Sequence, residues 1–162
     1  MKNNFLNKAF IFYFLVSLIL LDFGNGLKKI SYNSFFNDFH NPIFSISHTA
    51  NTGSAFGLFA NSSLSLAIFG IFVLIFITVY VYKNNITSKL ELLSVTLFTA
   101  GTLGNLIERL RFGYVTDYIN LNFINFPVFN SFDIMISLGV FLYLIFVLFD
   151  MGKENGKSNQ SK

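Results

Sequence analysis

Four apolar stretches, each close to the roughly 20 residues a helix needs to cross a bilayer, leave this chain few folds to choose from. They cover about residues 8–27, 62–82, 90–107 and 132–149. Hydrocarbon offers no hydrogen bonds to a bare backbone, so each segment that spans it must satisfy its own N–H and C=O groups as a helix. The expected class is all-α transmembrane, a four-helix membrane bundle forming a single domain over residues 1–151. The third stretch is the weakest, diluted by Thr96, Thr99, Thr102 and two glycines. The first begins like a cleaved leader, with Lys2 and Lys8 before an apolar run, but Asp22-Phe23-Gly24-Asn25 is a poor cleavage site. It is read as a retained helix. Residues 152–162 are polar and contain Gly and Ser, the composition of a disordered tail.

Composition supports the bilayer as solvent. The chain is 53% hydrophobic and 12% charged, about half the charged share of an ordinary soluble domain. It has no cysteine, which excludes disulfides, thiolate nucleophiles and Cys-ligated metals, and only two histidines, His40 and His48. Hydrolytic chemistry would rest on Asp, Glu, Ser, Lys or those histidines. No Lys/Arg stripe interleaved with aromatics occurs, so nucleic-acid binding has no support.

Charge placement orients the bundle. Lys2, Lys8, Lys83, Lys89, Lys153, Lys157 and Lys162 fall on one side, against Lys28, Lys29, Arg109 and Arg111 on the other. The first side is expected in the cytoplasm, with both termini. The opposite connections are long. Phe44-Ser45-Ile46-Ser47 alternates as a half-exposed strand does, and Tyr114 to Phe129 is extended in character and carries Pro127. A small extracytoplasmic β-structured cap is expected there.

Ionisable groups at membrane depth are costly, and each needs a reason. Glu91 and Asp150 sit at cytoplasmic helix ends, where solvation is the expected role. Asp22 is expected to pair with Lys28 or Lys29, or to face the bundle. Asp133 opens the fourth helix just after Asn130-Ser131. Position alone leaves two readings for it: satisfying helix N-terminal N–H groups, or chemistry. Asp117 lies in an extended, apolar-flanked segment of the same external end. If that segment folds back, the two carboxylates meet. Two such groups share a proton, so one accepts a proton from water while the other donates to a scissile carbonyl. Asn51, Gly53, Asn105 and Asn130 cluster at the same level, where amides would hold a substrate backbone or the carboxylates.

Three blocks then come into view: NTGSAFGLF from Asn51, GTLGNLIERLRFGYVTDYI from Gly101, and FNSFDIMISLGV from Phe129. Their order and spacing resemble the signature blocks of the bacterial lipoprotein signal peptidase (signal peptidase II) family, over most of the chain. The resemblance implies a membrane aspartic endopeptidase of the bacterial inner membrane that needs no metal or cofactor. Its implied substrates are diacylglyceryl-modified prolipoproteins, cut on the amino side of the lipidated cysteine, with the lipid chains between helix surfaces and bilayer. Carried over by motif position, Asp117 and Asp133 are the catalytic pair. Asn51, Gly53, Asn105, Arg109 and Asn130 support substrate or dyad. A monomer suffices for this chemistry.

The chain departs from the family pattern in three places. Glu108 stands where Asp is usual, and Phe132 where a small Ala precedes the aspartate. Phe-Gly-Asn-Gly follows Asp22 in place of a polar run ending in Lys, so that Gly26 falls in that run and Lys28 is the candidate substitute. Two non-enzymatic readings stand beside the peptidase. A small transporter would place its acids mid-bilayer, and a scaffold relative would keep the motifs with the dyad misplaced.

Overall fold

The computed structural model describes residues 3–33, 39–53, 61–84 and 86–160, with backbone alone for 3–8 and 151–160. Residues 54–59 of the first motif block, and Lys2 and Lys162 of the charge pattern, lie outside the described residues. Among those described, four helices and one antiparallel ribbon follow in the order α1 (Asn3–Ser31), β1 (Phe44–Asn51), α2 (Ser63–Lys83), α3 (Lys89–Phe112), β2 (Val115–Leu121) and α4 (Ser131–Gln160). Four spans are long and apolar enough to cross a membrane: Ala9–Ser31, Ser63–Lys83, Lys89–Phe112 and Ser131–Asp150.

The weak third stretch is the centre of the bundle. In α3, 56% of the apolar window is buried, against 17%, 11% and 17% in α1, α2 and α4. Its hydroxyls and glycines therefore face protein, while the greasier helices face outward. Small residues let helices approach closely where lipid supplies no hydrophobic drive. A Cβ on Gly139 would stand 2.8 Å from the Ser94 carbonyl oxygen and the Phe98 nitrogen, so α4 lies directly on α3. Tyr13 of α1 binds Thr99 Oγ1 of α3 at 3.0 Å and Thr78 Oγ1 of α2 at 3.4 Å. Interhelical bonds of this kind contribute about 0.6 kcal/mol each. Leu97, Ala100, Phe132 and Met135 form a core cluster between α3 and α4.

Several boundaries differ from the sequence reading. α3 does not end at Ile107 but continues to Phe112, because its stop is Gly113. That glycine takes φ +77°, a left-handed conformation that costs other residues a Cβ clash, and its N–H closes on the Arg109 carbonyl. The backbone of α4 is helical to Gln160, through residues whose composition argues for disorder. Glu91 is not a solvated helix end: it is 7% exposed, and Tyr80 donates to its Oε1 at 2.5 Å. Asp22 is exposed and makes no ion pair among the described residues; Lys28 pairs with Glu108 instead. Asp150 is exposed, as expected.

The ribbon sits at one end of the bundle. β1 and β2 pair antiparallel from Phe44↔Leu121 to Asn51↔Val115. Between the pairs Ile46↔Ile119 and Thr49↔Asp117, Ser47 and His48 oppose Tyr118 alone, a bulge that resets which face each side chain takes. His48 binds Ser31 Oγ at 3.1 Å and stacks on Tyr32 at 4.1 Å, tying the ribbon to the end of α1. Burial, and then the nearby Lys28, lowers the His48 pKa and so favours the neutral ring.

Candidate active site

The ribbon register places the first carboxylate. Directly opposed residues share a face, as do residues two apart on one strand. With Thr49 opposite Asp117 and Asn51 opposite Val115, the side chains of Asn51 and Asp117 are diagonal neighbours. Asn51 Nδ2 donates to Asp117 Oδ2 at 2.8 Å. Asp117 is 2% exposed, which is unusual for a carboxylate in a connection between helices.

The second carboxylate is held by the start of α4. Asn130 Oδ1 accepts from the N–H groups of Phe132 at 2.7 Å and Asp133 at 3.1 Å. Asp133 Oδ2 in turn accepts from the Asn130 N–H at 3.1 Å. This reciprocal exchange is a capping box, and it satisfies N–H groups that a helix start leaves free. The modest reading of Asp133 is thus correct for one of its oxygens. The other, Oδ1, accepts from Asn105 Nδ2 of α3 at 2.8 Å.

Asn130 joins the two halves. Its Nδ2 donates to Asp117 Oδ1 at 2.7 Å and to Asn105 Oδ1 at 3.2 Å, while its Oδ1 caps the helix. Only a primary amide has one acceptor oxygen and two donor hydrogens on a single planar group. Asn105 and Arg109, one turn apart, present themselves on the same side of α3 because the helix continues past Ile107. Arg109 donates to the Gly53 carbonyl at 2.9 Å, and the Gly53 N–H donates to Asn51 Oδ1 at 2.9 Å. The buried Arg109 Nε has no partner among the described residues.

These groups open onto a cavity of about 880 Å³. Asn105, Arg109, Asp117 and Asp133 line its polar end. Phe69, Val73, Phe98, Ile136 and Phe141 line the apolar remainder between α2, α3 and α4. Burial pushes Asp117 up to about 6, against the bonds from Asn51 and Asn130, which favour its ionised form; Asp133 raises it further and Arg109 lowers it. The carboxyl is thus poised to exchange a proton near neutrality, as acid–base work requires. Both aspartates lie at the ribbon end of the bundle, Asp133 as the third residue of α4 and Asp117 on β2. The transporter reading would have placed them mid-span.

Across residues 14–149 the sequence matches the family described as signal peptidase (SPase) II. The chain belongs to this family. It is 34% identical over 149 residues to a lipoprotein signal peptidase of Streptococcus agalactiae serotype Ia, covering 90% of this chain and 94% of the relative. It is also 34% identical to the lipoprotein signal peptidase of Clostridium tetani, over 70% of this chain and 75% of that one. The fold is similar to that of a solved bacterial membrane enzyme, with a TM-score of 0.78, 26% identity, and coverage of 87% and 90% of the two chains. The signal peptidase II family is a family of peptidases, and with its four apolar spans the chain is a membrane protein.

All the candidate residues of this signal peptidase II chain converge: Asn51, Gly53, Asn105, Arg109, Asp117, Asn130 and Asp133. The sequence reading missed a second layer. Glu108 Oε2 accepts from the Thr116 N–H at 2.8 Å, while its other oxygen pairs with Lys28. One carboxylate thereby ties α1 and α3 to the residue before Asp117. Tyr118 Oη accepts from the Ser131 N–H at 3.3 Å, joining β2 to the start of α4. The departure at Glu108, with Lys28 as candidate substitute, was the available signal for the first of these. Nothing in the sequence pointed to the second.

Proposed function

We propose that this chain is an aspartic endopeptidase that removes signal peptides from diacylglyceryl-modified prolipoproteins, cutting on the amino side of the lipidated cysteine. The observation that carries this reading is the pair of carboxylates restrained by Asn130 and Asn105 at the polar end of an otherwise apolar cavity. Asp117 and Asp133 act as one titrating unit. One carboxylate takes a proton from the attacking water as its oxygen bonds to the scissile carbonyl carbon. The other donates its proton to the carbonyl oxygen. Collapse of the tetrahedral intermediate breaks the C–N bond: the proton first taken from water goes to the departing amine of the cysteine, and a hydroxyl of the intermediate returns a proton to the other carboxylate, restoring the pair. Arg109, which lines the polar end of the cavity, is the candidate to hold a substrate carbonyl, and the apolar wall suits lipid chains.

The setting follows from the same reading. The protein lies in the bacterial cytoplasmic membrane with both termini in the cytoplasm. Its site is near the extracytoplasmic face, where membrane lipids are neighbours and a monomer suffices. The test is cleavage of a diacylglyceryl-modified prolipoprotein peptide by purified protein in detergent, beside Asp133→Asn. Cleavage before the lipidated cysteine that is lost in the variant and indifferent to chelators is expected. Silence of the native protein on several lipidated peptides favours the scaffold reading instead.

A further inference from the structure

Phe132, the residue before Asp133, is 1% exposed and is among the largest fully buried side chains. It packs with Leu97, Ala100 and Met135, and two glycines approach its ring. A Cβ on Gly104 of α3 would lie 2.5 Å from ring atoms Cδ1 and Cε1 and 2.6 Å from Cγ. A Cβ on Gly24 of α1 would collide with Cε1 and lie 2.9 Å from Cδ1. On the main-chain side, a Cβ on Gly101 would collide with the Phe132 carbonyl oxygen and stand 3.0 Å from the Ile136 nitrogen. Three glycines on two helices thus frame one residue, and the ring fills a slot that exists only because two of them lack side chains.

The slot and the carboxylate contacts share neighbours. Gly104 touches the ring, and the next residue, Asn105, holds Asp133 Oδ1. The Phe132 N–H shares its acceptor, Asn130 Oδ1, with the Asp133 N–H. Successive helical residues are separated by about 100° around the axis, so a ring locked against α1 and α3 fixes where the following side chain points. A carboxylate carried about 6 Å from the axis moves about 1 Å for a 10° turn of the helix. A displacement of about 1 Å can cost on the order of 10²-fold in rate.

We propose that Phe132 is a positioning residue, its ring seated between Gly24 and Gly104 to set the rotation at which α4 presents Asp133 to Asn105. This rests on the functional reading above. Ser131 Oγ, which donates to the Gly24 carbonyl at 3.3 Å, adds a polar contact at the same point on α1.

The test compares purified full-length Phe132→Leu, Phe132→Ala, Gly104→Ala and the Gly104→Ala/Phe132→Ala pair, each assayed for cleavage and thermal unfolding. Among variants that keep a cooperative melt, kcat should fall in the order Phe, Leu, Ala, by at least tenfold at Ala, with KM within about twofold. A limb of the pH–rate profile should move by about half a unit or more, which a smaller folded fraction alone would not cause. Gly104→Ala should cost at least about tenfold less kcat in the Phe132→Ala background than in the native one, since the clash it creates is then gone. Equal cost in both backgrounds, or lowered kcat with unmoved pH limbs, overturns the proposal while leaving the peptidase reading intact. A native protein that cleaves none of the lipidated peptides takes both down.

Discussion

At the scale of single residues, Asp117 has two measurable consequences. As half of the proposed shared-proton pair it should not tolerate Asn: Asp117→Asn is expected to lower kcat by about 10²–10⁴-fold or more, as is Asp133→Asn, with helical content unchanged by circular dichroism. Near-native turnover in either variant would refute the dyad. The second consequence concerns stability. The folded carboxyl titrates at about 6, above its ordinary 3.8, so it favours the folded state at low pH and loses that contribution as pH rises through this interval. Melting of the native protein from pH 4 to 7 should show this decline, on the order of 2–3 kcal/mol, and Asp117→Asn should show clearly less of it. The bond from Asn51 opposes the upward shift, so Asn51→Ala should move the neighbouring limb of the pH–rate profile higher. A limb that stays put or falls would show that this amide does not restrain the ionised carboxylate.

Between elements, the Lys28–Glu108 pair clips α1 to α3 while the same carboxylate holds Thr116 of β2. Removing one partner of a buried pair strands the other, at a typical cost of 3–5 kcal/mol for full burial; these side chains keep 14% and 8% exposure, so about 2–3 kcal/mol is expected. Glu108→Gln keeps an acceptor for the Thr116 N–H but loses the ion pair, and its melting temperature should drop as far as that of Lys28→Met. The double variant should lie well above the sum, because no charge is left alone. Strict additivity in thermal melts would mean the pair contributes nothing as a pair. This clip also marks the limit of what sequence could reveal. The helices were legible because lipid demands long apolar runs, and the strands because Phe44–Ser47 alternates. The end of α3 was not: Arg109 and Arg111 read as loop charges, and only the left-handed Gly113 makes the stop. Glu91 read as solvated because its cover, Tyr80, comes from another helix. Lys28 and Glu108 are 80 positions apart, beyond any periodicity.

For the whole molecule, the candidate site was legible as a set of motifs, whereas its wiring was not. The motif blocks nominate Asn130 without saying that it caps α4 and holds Asp117 at once. Orientation can be tested without background mutations, because the chain has no cysteine. Thr87→Cys, in the short turn before α3, and Phe123→Cys, beyond β2, both occupy exposed positions. With an impermeant maleimide on intact cells, Phe123→Cys should label and Thr87→Cys should stay dark until the membrane is opened. The reverse pattern would invert the proposed topology.

The interior position of α3 has a bearing on biogenesis. The helix that supplies Asn105 and Arg109 has a mean hydropathy of only 1.4, against 1.9, 2.7 and 2.5 for α1, α2 and α4. Alone among lipid tails it would expose the hydroxyls and charged groups that the finished protein encloses. During synthesis α1 and α2 emerge first, so a nascent α3 arrives to find two hydrophobic neighbours already available as partners. α4 then closes over the glycine-bearing face. The segment that the translocon would accept least readily by itself is thus the segment for which the rest of the chain prepares a berth.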